Sequence, residues 1–358
     1  MKKVLSLFAF SAVFAAIAFG QAQRLNVKDI VELELLTSSE VAEKIKGGMT
    51  TVLVPVGGTE IRGPHAILAV HTILANKRAV GAAKRLGNAL VAPTLPIAVS
   101  ATGGPGANAG TQVTTSPGAI QMPADTFKVV MQSQVDCMVY NGFKDIFLMG
   151  DHGGGQQQMR EVAEENDKKL SERGIRVYYI ADFYQKTHDD IDMYMYNHKL
   201  PIAGHGGVME TAEMMYWEPY QYAYVRENYK TAPLPGVVPN SDPEAWKKQR
   251  DARDAARAAG PAAEGGQRGA GGGRGGRGGG AAGSDAAAGG AAGGGGRGGR
   301  GGNANADSNA PRVELYGLSA NPHPSTKAIG KDLADIGIGN TVAEIKKQMA
   351  EKRGSSQK

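Results

Sequence analysis

Apolar residues recur along this chain in blocks that switch between strand-like and helix-like spacing. The unbroken run Thr51–Val56 (TVLVPV) predicts a strand buried on both faces, and residues 145–149 (DIFLM) predict another. Val70–Leu86 carries helical spacing and stops at Gly87. Residues 123–141 open on Pro-Ala-Asp, continue as an amphipathic helix and stop at Gly142. Thr37-x-x-Glu40 reads as a capping box before a short helix ending at Gly47 and Gly48. Residues 89–98 predict a strand interrupted by Pro93 and Pro96, and residues 99–122 a long Gly/Ser/Thr/Pro loop of the kind that often carries function. A charged, exposed helix over 156–173, a strand over 176–181 and a helix over Val208–Trp217 follow. A last helix over 340–353 puts Val342, Ile345 and Met349 on one face. Alternating β and α elements predict an α/β fold, with a mostly parallel sheet and helices on both faces.

Residues 1–22 have a different pattern. Lys2 and Lys3 precede an uncharged apolar stretch, and small residues at Ala18, Gly20 and Ala22 offer cleavage positions. This is the pattern of a cleavable bacterial signal peptide, too short for a comfortable membrane span, and predicts a periplasmic or secreted protein without a stable membrane anchor. Cys137 is the chain's one cysteine, which excludes an intrachain disulfide; its place in an apolar helical pattern predicts a core residue.

Composition adds a second unusual segment. Glycine numbers 51 in 358 residues and the net charge is +5, a balance that could point to an anionic partner. More than half of the positions from Gly260 to Gly302 are glycine, with Arg268, Arg274, Arg277, Arg297 and Arg300 set against Glu264 and Asp285. Together with Lys2 and Lys3 these residues account for the excess charge, and the remainder of the chain is neutral. The segment has no aromatic residue on which bases could stack. Residues 240–311 therefore predict a flexible insertion and no nucleic-acid partner. It divides one α/β domain into residues 23–239 and 312–358.

The polar chemistry follows the predicted strands, where open α/β sheets bind ligands. Glu60, Arg62 and His65 lie in a glycine-rich turn after the first strand, with His71 six residues beyond. Asp151 and His152 precede three glycines after strand 145–149, and His205 and Glu210 flank another glycine pair. Histidine with carboxylate is a donor mixture that zinc and manganese accept.

These segments resemble the creatininase (creatinine amidohydrolase) family. VPVGGTEIRGPH is similar to the family's PVGSxEQHGPHLPLGTD, NGFKDIFLMGDHGGGQ to GFRxIxxxNGHGGN, and GHGGVMETAEM to HAGxxETS. GTQVTTSP is similar to FPGTxSxxP, and YGLSANPHPSTKAIGKDL to GxxGDPxxAxxxxG. The resemblance runs over about 35–225 and 312–350. It implies a three-layer α/β/α domain, commonly a homo-oligomer, whose divalent zinc or manganese hydrolyses a C–N bond in a small, in some members cyclic, amide substrate. It further implies metal ligands at Glu60, His71, His152 and Glu210, catalytic roles for His205, Glu210 and Arg62, and substrate contacts at Arg62, His65, Thr111 and Asp151.

Two departures bear on the metal. Arg62 stands where the family has a ligand histidine, and His71 where it has the metal-bridging aspartate. Arginine stays protonated and has no lone pair for a metal, and the bridging carboxylate is what holds two ions together. One ion is therefore favoured over two. A small-molecule binding protein with altered chemistry is the alternative reading. The exclusion of nucleic acid has a direct check: in a low-salt gel shift, the intact chain should leave single-stranded DNA and RNA unshifted.

Overall fold

The computed structural model describes residues 26–99, 118–202, 204–219, 223–234, 243–258 and 316–355. The leader 1–22, the segment 259–315 and Thr111 lie outside them. Helix α1 (Ser38–Lys46) starts at the predicted capping box: the Thr37 hydroxyl accepts from the Glu40 N–H, and the Glu40 carboxylate accepts from the Thr37 N–H at 2.7 Å. Strands β1 (Thr51–Val56), β2 (Ala89–Val91), β5 (Asp145–Gly150) and β6 (Arg176–Tyr179) form an all-parallel sheet in the order β2-β1-β5-β6. β3 (Ala98–Val99) and β4 (Gln121–Met122) form a separate parallel pair at the two ends of the long loop.

Topology fixes the layers. The step β1–α2–β2, through α2 (Val70–Leu86), moves one way across the sheet. The steps through α3 (Ala124–Tyr140) to β5, and through α4 (Gln156–Leu170) to β6, move the other way. Right-handed crossovers then put α2 on one face and α3 with α4 on the opposite face. α8 (Lys327–Ser355) packs beside α2 and completes the three-layer α/β/α arrangement. All six residues of β1 are buried, as are the last five of β5, which is why both segments read as continuous apolar runs. Each fully buried aliphatic or aromatic side chain contributes about 1.5–3 kcal/mol. A smaller core joins Ile191 and Met195 of α5 (Gln185–Asn197) to Val208, Met209 and Ala212 of α6 (Val208–Trp217), and to Leu333 of α8. It holds α6 in place behind the sheet ends.

The direction of the chain reverses between β1 and β5, so a crevice opens beyond their C-terminal ends, at Val56 and Gly150. The polar clusters predicted after these two strands therefore meet at the switch point of the sheet.

Several expectations are corrected. Cys137 is exposed: α3 buries Phe127, Met131, Val135 and Met138, and this stripe turns residue 137 away from the sheet. The expected strand 89–98 breaks into β2 and β3, because the prolines at 93 and 96 cannot donate to a ladder. The segment 240–311 does not lie wholly outside the packed body. Its start forms α7 (Pro243–Ala258), whose Trp246 is 8% exposed beside Tyr196 of α5. The Arg250 guanidinium there donates to the Asp189 carbonyl at 2.9 Å. α8 begins 13 residues before the expected helix, at Lys327. Its glycines weaken helix propensity but allow close packing: a Cβ at Gly330 would lie 1.9 Å from the Ala212 carbonyl oxygen of α6. Among the described residues no helix is long and apolar enough to cross a membrane.

The α6–α8 contact generates a test. Gly330→Ala should lower stability by roughly 1–3 kcal/mol through overpacking, read as a fall in Tm by differential scanning calorimetry. An unchanged Tm would show that α6 and α8 do not need that approach.

Candidate metal centre

Three chain segments deliver the site. The turn after β1 supplies Glu60 and Arg62, and the first turn of α2 supplies His71. The turn after β5 supplies Asp151 and His152. The start of α6 supplies Glu210, with His205 just before it. Gly206 sits at φ 69°, and a Cβ there would lie 2.7 Å from the Arg62 carbonyl oxygen, so only glycine lets these two turns touch.

Arg62 is the centre of the arrangement. It is 2% exposed. Its Nη2 donates to Glu60 Oε2 at 2.7 Å and to His71 Nε2. Its Nε donates to Glu210 Oε1 at 2.9 Å, and its Nη1 to His205 Nδ1 at 3.0 Å and to the Ile61 carbonyl at 3.1 Å. His71 is held from its other side. Its Nδ1 donates to Asp151 Oδ2 at 2.8 Å, because an ionised carboxylate only accepts, and this leaves the Nε2 lone pair facing the cluster. Arg78, fully buried on α2, pairs with Asp151 and with Glu213 of α6. His152 Nδ1 accepts the Gly154 N–H at 3.0 Å, and its Nε2 meets Glu60 Oε2 at 2.9 Å.

Ligand atoms of Glu60, His71 and His152 all lie within 4.8 Å of one another, a grouping that could hold a metal ion. Two imidazoles and one carboxylate are a donor set for a single zinc or manganese ion with a coordination position left open. The carboxylate of Asp151 behind His71 is the support that metal-ligating histidines ordinarily have. Among the described residues no second such grouping occurs, and Arg62 stands in the middle of the remaining donors.

Glu210 positions Arg62 in this structure: its Oε1 accepts from the guanidinium and its Oε2 from the Gly206 N–H at 2.6 Å. Two predicted substrate contacts change. Asp151 was expected to contact substrate, but it is 1% exposed with its two oxygens committed to His71 and Arg78. His65 is fully buried, its Nε2 2.9 Å from the Thr211 hydroxyl, and has no surface with which to meet a substrate. Arg78 and Glu213 are additions. Their signal was periodic: Arg78 lies two helical turns beyond His71, and Glu213 one turn beyond Glu210.

The electrostatics follow from burial and these pairs. Burial pushes the Glu60 carboxyl up, but the His152 hydrogen bond and the Arg62 charge outweigh it and hold it well below the usual range. Burial likewise opposes ionisation of Asp151, which Arg78 and His71 override, and of Glu210, which Arg62 overrides. Burial raises Glu213 beyond what Arg78 lowers it. Burial, reinforced by the Arg62 charge, holds His71 and His205 below the usual imidazole value, so both rings are neutral near pH 7. Burial also lowers His65 and His188.

The sign of the pH dependence is then set. Depressed histidines and carboxylates both give stability that is present above their unfolded values and is lost as pH falls. The urea midpoint should drop as pH falls below about 6.5, and again below about 4. A midpoint constant from pH 8 to 5 would show that these histidines are not held neutral in the fold.

With the geometry in place, comparison with known proteins gives a consistent result. The family model described as creatinine amidohydrolase matches residues 34–345. The fold resembles solved structures of a manganese creatininase (18% identity, TM-score 0.53) and of a zinc–zinc glutamate-to-glutamine creatininase mutant (17% identity, TM-score 0.53). It also resembles such a mutant complexed with creatine (17% identity, TM-score 0.51). Each comparison covers 89% of this chain and 98% of the other. At these identities the likeness concerns the fold. No curated protein sequence matches the chain. The family match over most of the chain establishes that this protein belongs to the creatininase family of metal-dependent amidohydrolases.

Proposed function

We propose that the chain hydrolyses a C–N amide bond in a small amide, with one zinc or manganese ion held by Glu60, His71 and His152. The observation that carries this reading is the convergence of those three ligand atoms, with His71 locked by Asp151. A bound ion would polarise the substrate carbonyl and bring a water molecule towards ionisation near neutral pH.

The chain's own residues supply the rest. Arg62 donates to His205 Nδ1, so the neutral ring carries its proton on Nε2. That proton is available to the leaving nitrogen. The Arg62 guanidinium, oriented by Glu210, supplies a fixed positive charge beside the ion; its five N–H groups are taken by Glu210, Ile61, His205, Glu60 and His71, so it acts on a developing oxyanion through its charge. Asp151, Arg78 and Glu213 hold His71 in its ring orientation from behind. The leader read in residues 1–22 would place this activity in the periplasm or outside the cell.

One observation favours a second reading. Arg62 already bridges Glu60 and His71, as it would in a family member that binds a small molecule without hydrolysing it. Metal content and activity separate the two. Purified wild-type chain should carry about one zinc or manganese ion. It should also cleave at least one member of a panel of cyclic and linear amides, in a chelator-sensitive way. His152→Ala should lose the ion and at least about 100-fold in activity. Wild-type protein free of metal after growth with excess zinc and manganese would overturn the hydrolase reading.

A further inference from the structure

Glu60 Oε2 and His71 Nε2 are 3.8 Å apart, and Arg62 Nη2 hydrogen-bonds to both. An ion bonded to the same two atoms at about 2.1 Å would lie within roughly 1 Å of the line joining them. There it would press against a guanidinium nitrogen that keeps its protons and has no lone pair to share. The gap takes one cation at a time.

We propose that Arg62 and a divalent ion compete for this position. Arg62 fills it in this structure, and its guanidinium shifts as one plane when an ion enters. The inference rests on the preceding reading only for where the ion binds. Two features fit an exchangeable guanidinium. The guanidinium is a rigid plane and shifts as a whole; Glu210 Oε1 and the Ile61 carbonyl lie outside the gap and can re-form bonds to the shifted group. Glu60 is the most exposed of the three ligand residues, at 19% of its side chain against 7% for His71 and His152, so an ion and its water reach the gap from that side. The same arrangement explains how buried Glu60 and Glu210 are tolerated without metal: Arg62 compensates both. The consequence is a built-in trade-off. The residue that stabilises the metal-free fold weakens metal binding.

The test compares metal-stripped wild-type chain with Arg62→Met by calorimetric zinc titration and thermal melting. Arg62→Met should bind zinc at least about tenfold more tightly, since the resident competitor is gone. In chelator it should melt roughly 10 °C below wild type, because two buried carboxylates lose their partner. Saturating zinc should narrow that difference. If Arg62→Met does not fold, ¹⁵N spectra of the wild-type guanidinium give the same information. Slowly exchanging Arg62 Nη2–H signals should be present without metal and shift or vanish at one equivalent of zinc.

The outcomes separate this proposal from the hydrolase reading. Equal zinc affinity in the two proteins, or Arg62 signals unmoved by bound zinc, would overturn competition and leave the hydrolase reading standing. Zinc bound by Arg62→Met and not by wild type would support competition and end that reading. No zinc in either protein would overturn both.

Discussion

The site depends on burying two guanidinium groups among four carboxylates at the crevice between β1 and β5. Arg62 compensates Glu60 and Glu210, and Arg78 compensates Asp151 and Glu213. His71 joins the two halves through its two ring nitrogens. A buried charge stripped of its partner costs several kcal/mol, so each residue's position is conditional on the others. This coupling ties the turn after β1 to α2, α6 and the turn after β5. It also explains why Asp151, Arg78 and Glu213, behind His71, are all buried.

The fold was largely legible in the sequence. The buried strands, the capping box at Thr37 and the limits of α2 and α6 follow from apolar runs and local stop signals. The failures were tertiary. α8 runs through Gly330 and Gly337 because close packing there repays their poor helix propensity. α7 was hidden because its composition is charged and a single tryptophan, Trp246, anchors it. Cys137 is exposed in an apolar stretch because α3 has apolar residues on more than one face.

The site was legible as a set of residues and less so as a set of roles. Glu60, Arg62, His71, Asp151, His152, His205 and Glu210 do gather after the strands. Which of them would meet an ion and which position a neighbour is decided by the direction of each side chain. Glu210 and Asp151 are chemically suitable ligands whose oxygens are already engaged. Arg78 and Glu213 carry no motif, and only the helical phase links them to residues that do. The replacements at 62 and 71 are paired in space, since Arg62 donates to His71.

The limited exposure of Glu60 carries a consequence for time. With Arg62, His71 and His152 nearly sealed, whatever occupies the ligand triad enters and leaves past the Glu60 carboxylate. Exchange of the occupant is then coupled to rotation and rehydration of the Glu60 side chain, so the pace of exchange is set there as well as by the strength of the bonds.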